Sequence, residues 1–276
     1  MLSWLRKNIF EQETPGTYKE HNPHKIAKKL LLLGLINGIL AALLFIYYAF
    51  IFERSVEYTN DTTRRISLPV GVKVFMYIEI DFNQANLKYI KSINYAQIKG
   101  ETTELELDKL EPFGFKDDKP IYPAGALPNS FFQDVIEVEG QEIKQENITF
   151  NSDLRRVGVT SYNPNEIEIP PSWTKRTNAG SKPLNFTGAE GLPILNERFI
   201  NWIDPTMFYP TKKLWGTVNA TKADNSLIIE SESEYDKQII FTSGSFFGFR
   251  NFYIPVTFLI ISILSVGIAL MLIWFP

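Results

Sequence analysis

Leu30-Leu-Leu-Leu-Gly-Leu-Ile-Asn-Gly-Ile-Leu-Ala-Ala-Leu-Leu-Phe-Ile-Tyr-Tyr-Ala-Phe-Ile-Phe52 is a run of 23 residues without one charged side chain. About 20 apolar residues in helical form cross a hydrocarbon core of roughly 30 Å. Residues 251–276 form a second charge-free run. Glu53 to Arg250, between them, is ordinary polar sequence. The expectation is a two-transmembrane-helix protein: a tail over 1–29, a span over 30–52, a water-facing domain over 53–250 and a span over 251–276 with almost no tail beyond it. That pattern excludes both a soluble enzyme and a multi-span transporter. A cleaved signal peptide fits the first run poorly. Such segments have an apolar stretch of only ~7–15 residues, and Glu53-Arg54 stands where a small-residue cleavage site would be.

Charge sets the expected orientation. Arg6, Lys7, Lys19, Lys25, Lys28 and Lys29 precede the first run against Glu11, Glu13 and Glu20, whereas the middle domain is net acidic. Lysines directly before a span mark its cytoplasmic side, so both termini are expected in the cytoplasm and the domain in a lumenal or extracellular space. The sequons at Asn60, Asn147, Asn185 and Asn219 all fall in that domain and are candidate glycosylation sites. Leu2, Leu5 and Ile9 fall on one face of a possible short interfacial helix in the tail.

The composition narrows the chemistry further. The chain has no cysteine, and its two histidines, His21 and His24, lie in the tail. Disulfides, thiolate catalysis, cysteine-held metals and Ser-His or Cys-His nucleophiles are therefore excluded from the middle domain. Acidic residues are plentiful, but Asp117-Asp118 reads as a turn, and Glu230, Glu232 and Glu234 read as a solvated strand or loop face. No phosphate-binding glycine loop is present, and Ser243-Gly244-Ser245 reads as a flexible lead into the second span. No catalytic, cofactor or metal site is expected, and no nucleic-acid partner.

Val70 to Phe82 alternates apolar and other residues with period two, which predicts a long strand. A helix is expected across Gln84–Tyr95. Shorter alternations at Glu104–Leu107, Val135–Val138, Glu166–Ile169, Ser226–Ile229 and Gln238–Phe241 predict further strands, separated by Pro- and Gly-rich loops. Asn196 reads as the N-cap of a helix carrying Phe199, Trp202 and Ile203 on one face, stopped by Pro205. The fold expected is mainly β (α+β), an antiparallel, sandwich-like domain.

The spans carry small residues where transport pathways carry charge. Gly34 and Gly38 form Gly-x-x-x-Gly, Ala41 continues that face, and Asn37 adds an amide donor; Ser262, Ser265 and Ala269 make a similar surface on the second run. Close helix packing with an interhelical hydrogen bond is the physical use of such a set. Gly34, Asn37, Gly38, Ala41, Ser262 and Ser265 are thus candidates for packing against a partner protein.

Four ordered stretches carry a resemblance. They are Val74-Phe-Met-Tyr-Ile-Glu-Ile-Asp-Phe-Asn through Ser92; Glu111-Pro-Phe followed by Asp118-Lys-Pro-Ile-Tyr-Pro-Ala-Gly-Ala-Leu-Pro-Asn-Ser-Phe-Phe-Gln-Asp134; Asn196-Glu-Arg-Phe-Ile-Asn-Trp202 continuing to Pro210-Thr-Lys-Lys-Leu-Trp-Gly216; and Phe241-Thr-Ser-Gly-Ser-Phe-Phe-Gly-Phe-Arg-Asn251. On a two-span topology, this order resembles the cell division control protein 50 (ligand-effect modulator) family, accessory β-subunits of type IV P-type ATPase lipid flippases. Its motif positions here are Pro123, Gly125, Asn129, Ser130, Asn196, Glu197, Phe199, Trp202, Arg250 and Asn251. The family's usual cysteines before Glu-Pro-Phe and in Pro-Cys-Gly are Leu110 and Ala124 in this chain. The sequon after the Asn-Ser segment is replaced by Gln133-Asp134-Val135, and the motif before the first span survives only as Tyr18-Lys-Glu-His.

The resemblance implies a non-catalytic glycoprotein subunit that accompanies a phospholipid-moving ATPase out of the endoplasmic reticulum, chaperone-like, toward Golgi, endosomal or plasma membranes. The basic tail could also touch anionic phospholipid. Two other classes share the topology: a two-span ligand-gated channel subunit, which would bring polar pore residues and a cysteine-rich domain, and an adhesion or receptor protein.

Overall fold

The computed structural model describes residues 22–80, 90–102, 106–131, 134–174, 196–205, 211–231 and 236–274. The tail helix suggested by Leu2, Leu5 and Ile9 and most of the helix expected across Gln84–Tyr95 lie outside them, as does Asn185. The chain divides into two units, one holding residues 1–50 with 251–276 and the other 51–250.

In the first unit, helix α1 spans Pro23–Ala49. It begins ahead of the charge-free run because Asn22 caps it, its Oδ1 accepting from the backbone N–H of His24 and Lys25, with Pro23 in the first turn where a missing N–H costs nothing.

The second unit begins with strands β1 (Glu53–Tyr58), β2 (Thr62–Ser67) and β3 (Lys73–Ile80), then the short helix α2 (Tyr95–Ile98). The hairpin β4 (Phe115–Lys116) and β5 (Lys119–Pro120) turns on Asp117 and Asp118, both at positive φ, so the acidic pair is a turn as expected. Helix α3 (Ala126–Asn129), strands β6 (Val135–Val138) and β7 (Ile143–Lys144), and helices α4 (Asn151–Leu154) and α5 (Glu197–Ile203) follow. Strands β8 (Thr211–Asn219), β9 (Asp224–Glu230) and β10 (Lys237–Ser243) complete this unit. Helix α6 (Tyr253–Trp274) returns to the first. Both α1 and α6 are long and apolar enough to cross a membrane.

Apart from the β4–β5 hairpin, the strands form two antiparallel sheets, ordered β1-β10-β3-β8-β7 and β2-β9-β6. Val74, Met76, Ile78 and Ile80 of β3, Ile239 and Phe241 of β10, and Leu227 and Ile229 of β9 all join one buried cluster, so the two sheets close on a shared core. This is the sandwich the alternation predicts.

Register orients the larger sheet. Glu53 pairs with Thr242, Ser243 with Val74 and Lys73 with Asn219 at one end; Tyr58 pairs with Lys237, Lys237 with Ile80 and Ile80 with Thr211 at the other. The outer strands β1 and β2 carry Glu53, Arg54, Glu57, Arg64 and Arg65 and do not alternate. Charge on an outer strand discourages edge-to-edge pairing, and it also hides the strand from a periodicity test.

Three expectations are revised. The strand expected to open at Val70 starts at Lys73, because Gly71 at φ 74 turns the chain. Leu107 opens a 3₁₀ turn, Leu107–Leu110, in place of ending a strand. Around Glu166–Ile169 the chain makes a 3₁₀ turn, Pro164–Glu166, and one parallel bridge from Glu168 to Ile121.

Candidate functional site

The small residues of the long helices form a seam between α1 and α6. Ala27, Gly34, Ala41 and Tyr48, seven apart, are buried with Asn37 on α1; Pro255, Ser265 and Ala269 are buried on α6. A seven-residue repeat is the signature of helices that cross at a shallow angle with knobs-into-holes contacts. A Cβ on Gly34 would stand 2.7 Å from Val266 Cγ2 and 3.2 Å from the Ser262 carbonyl, and one on Gly38 3.1 Å from Ser262 Oγ. Ser262 Oγ donates to the Gly34 carbonyl at 2.7 Å, and Phe45 stacks on Phe252 at 6.0 Å.

Gly34, Gly38, Ala41, Ser262 and Ser265 pack the chain's own two helices against each other. The interhelical hydrogen bond comes from Ser262, whereas Asn37 Nδ2 turns back to the Leu33 carbonyl on its own helix at 2.8 Å. In a solvent without competing water, an amide one turn from a carbonyl satisfies itself locally.

In the β unit the motif residues converge on Phe131, which is 2% exposed. Its ring meets Trp173 at 5.9 Å, Phe199 at 5.6 Å, Trp202 at 6.0 Å and Trp215 at 5.6 Å. The indole N–H groups of Trp173 and Trp202 find acceptors at the rim of the cluster. Trp202 Nε1 donates to Ser130 Oγ at 3.0 Å, Ser130 Oγ to the Leu127 carbonyl at 2.7 Å, and Trp173 Nε1 to the Pro128 carbonyl at 3.1 Å. Asn129 Oδ1 accepts from the Ser172 N–H at 3.1 Å, and its carbonyl accepts from the Ser172 hydroxyl.

Gly125, at φ 121, brings its backbone where a Cβ would lie 2.2 Å from the Ser92 carbonyl. The Tyr122–Pro123 bond just before it is cis. Asn196 Oδ1 accepts from the Phe199 N–H at 2.9 Å, the cap its sequence position predicts. The neighbouring Glu197 carboxylate accepts from three successive backbone N–H groups, Asn147, Ile148 and Thr149, at 2.9, 2.7 and 2.9 Å. On the buried side, Arg198 Nε donates to the Trp215 carbonyl at 2.7 Å with its guanidinium 5.0 Å from the Trp215 ring. Burial pulls the Arg198 pKa down to about 10, and the group stays cationic at neutral pH. At the start of α6, Asn251 Oδ1 accepts from the Tyr253 N–H at 2.9 Å, while Arg250 is half-buried.

Leu110 and Ala124 meet in a second apolar cluster with Leu107 and Ile121, flanked by Phe115. Fully buried Gln97 ties that loop to α2. Its Nε2 donates to the Ile121 carbonyl at 2.9 Å and to Tyr162 Oη at 3.2 Å, and its Oε1 accepts from the Ala124 N–H at 2.8 Å.

Periodicity gave no warning of the buried charges. Lys237 Nζ lies 2.5 Å from Asp134 Oδ2 and 2.6 Å from Ser231 Oγ, and Tyr58 Oη donates to the same Asp134 oxygen at 2.9 Å. Both charged side chains are within 1% of complete burial. Lys213 Nζ donates to the Asp204 carbonyl, and burial lowers its pKa to about 8 against the opposing pull of the Asp204 charge. The signal available in sequence was weak: Lys237 stands two residues ahead of the apolar run Ile239–Phe241.

Asn60, in the turn after β1, Asn147, before α4, and Asn219, the last residue of β8, are exposed. The hydroxyl of the sequon residue Thr149 donates to the Glu197 carbonyl at 3.0 Å and lies 2.9 Å from Asn201 Oδ1. Asn129, Ser130, Asn196, Glu197, Phe199, Trp202 and Asn251 are structural supports: each satisfies a backbone group, caps a helix or fills the aromatic cluster.

A two-span chain whose sequence motifs brace one sandwich core defines a class, and comparison with known proteins names it. Residues 45–275 match the LEM3 (ligand-effect modulator 3) family / CDC50 family, and the chain belongs to that family. It is 25% identical over 263 residues to a protein of Saccharomyces cerevisiae, phospholipid-transporting ATPase accessory subunit LEM3, covering 83% of this chain and 61% of that one. A Chaetomium thermophilum protein, phospholipid-transporting ATPase accessory subunit CDC50, is 24% identical over 262 residues, 80% of this chain and 61% of its own. Cell cycle control protein 50A of Bos taurus is 26% identical over 158 residues, 51% and 43% of the two chains. The chain thus spans about three-fifths of the length of the fungal relatives it matches.

Proposed function

We propose that this chain is the non-catalytic accessory subunit of a phospholipid-transporting ATPase of the type IV P-type class. The observation that carries the proposal is the family match over 45–275, joined to fungal relatives named as accessory subunits of such ATPases. The structure supports a bracing role. The long helices carry no charge in their apolar interiors, and the motif residues hold the domain together.

In this reading the partner hydrolyses ATP and moves phospholipid toward the cytoplasmic leaflet. The accessory chain grips it in the bilayer and from outside, and accompanies it out of the endoplasmic reticulum toward Golgi, endosomal or plasma membranes. Lys25, Lys28 and Lys29, in the first turns of α1, support a cytoplasmic position for that helix end. In this reading the β unit is lumenal or extracellular, and the exposed Asn60, Asn147 and Asn219 are its candidate glycosylation sites.

Affinity purification of the tagged chain in mild detergent tests the proposal. A P-type ATPase recovered in stoichiometric amount is the expected result, and a homo-oligomer with no ATPase would overturn it.

A further inference from the structure

We infer that the end of the sandwich bearing Val70, Val72, Phe246 and Phe247 is seated in the headgroup–acyl boundary of the bilayer. These four apolar side chains are 55%, 43%, 91% and 57% exposed. They belong to one end of the fold. The turn holding Val70 and Val72 leads into Lys73 and Val74, and Val74 pairs with Ser243, from which the strand β10 runs into the loop of Phe246 and Phe247. Glu53 pairs with Thr242 at the same end.

The covalent chain says what this end faces. Only Phe50, Ile51 and Phe52 separate α1 from β1, so the Glu53 end of the sheet stays within about 14 Å of the end of α1 at any mutual angle. The β10 strand leaves that same end, nine residues ahead of α6. If the helices cross a bilayer, this is the end of the domain tethered to it through the three-residue connection.

The local geometry is built to present the rings. Ser245 and Gly248 exchange reciprocal backbone hydrogen bonds at 3.1 and 3.0 Å, with Gly248 at φ 89, closing a turn whose two tip residues are Phe246 and Phe247. The two rings meet edge to face at 5.0 Å. Phe249 turns back against Phe75 at 5.1 Å and Tyr77 at 5.3 Å, fastening the loop to the sheet. The valine turn is held by the Gly71 N–H on the Ala220 carbonyl at 3.0 Å and the Leu68 N–H on the Ala223 carbonyl at 2.8 Å. Exposed Lys73, directly after Val72, adds a cation for lipid phosphate at this end. Phe side chains presented from a polar surface bury favourably at the headgroup–acyl boundary, and a rigid loop loses little entropy on insertion.

The inference rests on the two helices crossing the membrane, and its test separates the two ideas. Since the chain has no cysteine, single cysteines at Val72→Cys, Phe247→Cys, Asn60→Cys and Leu264→Cys can each carry a nitroxide in the full chain, reconstituted in phosphatidylcholine vesicles. Collision rates with oxygen, which partitions into lipid, and with a water-soluble nickel chelate report where each label sits.

Labels at 72 and 247 are expected to show an oxygen-to-nickel ratio several-fold above that at 60, in the direction of the 264 label. Labels at 72 and 247 that match the 60 label, or that are shielded from both reagents as in a protein interface, overturn the inference. An aqueous 264 label overturns the spanning reading and this inference with it, whereas a lipid-exposed 264 label with an aqueous 247 label overturns the inference alone.

Discussion

Lys237 and Asp134, 103 residues apart, meet at 2.5 Å with neither side chain touching solvent. The pair ties β10 of the five-stranded sheet to the residue just ahead of β6 of the three-stranded one, and Tyr58 and Ser231 complete its hydrogen bonds. Removing one member of such a pair strands a charge in a low-dielectric interior and costs about 3–5 kcal/mol, more than the pair contributes over apolar isosteres. Asp134→Leu and Lys237→Met should each lower the urea midpoint of the purified chain sharply. The double variant should recover much of that loss, and additive losses would show that the two groups do not depend on each other.

The helix seam makes a steric prediction. Gly34→Leu places a branched side chain where even a Cβ meets Val266 at 2.7 Å, and overpacking of this kind costs about 1–3 kcal/mol. Ser262→Ala removes a single interhelical hydrogen bond worth roughly 0.6 kcal/mol. Melting temperatures in detergent should therefore fall clearly for the first variant and barely for the second. Equal melting of Gly34→Leu and the parent chain would show that the glycine faces lipid.

Stability should depend on pH in two opposed steps. Burial lowers the Lys213 pKa to about 8, so above that pH the unfolded chain holds its proton while the folded chain releases it. Stability then rises with pH toward the free lysine value near 10.4, by something on the order of 2–3 kcal/mol. Tyr77 and Tyr122 are both raised to about 12 by burial, so above their ordinary value the unfolded chain loses protons first and stability falls. The two tyrosines outweigh the opposite contribution of Arg198, whose pKa burial lowers to about 10. Urea midpoints taken near pH 7.5, 9.5 and 11.5 should pass through a maximum. In Lys213→Met the rise should vanish and the later fall should remain.

Glu197 gathers three N–H groups from residues 147–149, and hydrogen bonds to a charged acceptor are worth about 1.5–3 kcal/mol each when lost. Glu197→Ala should destabilise the domain and speed amide exchange at Ile148 and Thr149, whereas Glu197→Gln, which keeps an acceptor oxygen, should do so less. Unchanged exchange in the alanine variant would mean the carboxylate does not hold this loop.

Leu110→Ala opens a hole beside Ala124 in the smaller apolar cluster, and large-to-small changes in cores cost about 2–5 kcal/mol. The loss should appear as a lower denaturant midpoint with an unchanged slope.

How far the fold could be read from the residues depended on periodicity. Val74 to Ile80 buries alternate side chains as the alternation implies, and Asn196 caps α5 because a short acceptor before an apolar helical stripe has few other uses. Strand β8 escaped notice because the register shifts opposite Met76 and Tyr77, breaking the period around Trp215. Asn37 reads in sequence as the interhelical donor and Ser262 as part of a small-residue surface, and only the facing helix decides which one reaches across. The Lys237–Asp134 pair lay beyond any local pattern, since a contact over that sequence separation is a property of the closed sandwich.

With glycine and serine turned inward, the helix pair shows its surroundings Leu35, Ile39, Leu43 and Ile46 on one side and Ile260, Ile263, Leu264 and Met271 on the other. Even the Thr257 hydroxyl folds back onto the Tyr253 carbonyl at 2.8 Å. That exterior has the same greasiness as the acyl chains around it and carries no polar address along those faces. If the proposed partner is met in the bilayer, telling one transmembrane neighbour from another falls mainly to the shape of this aliphatic relief and to segments that reach into water.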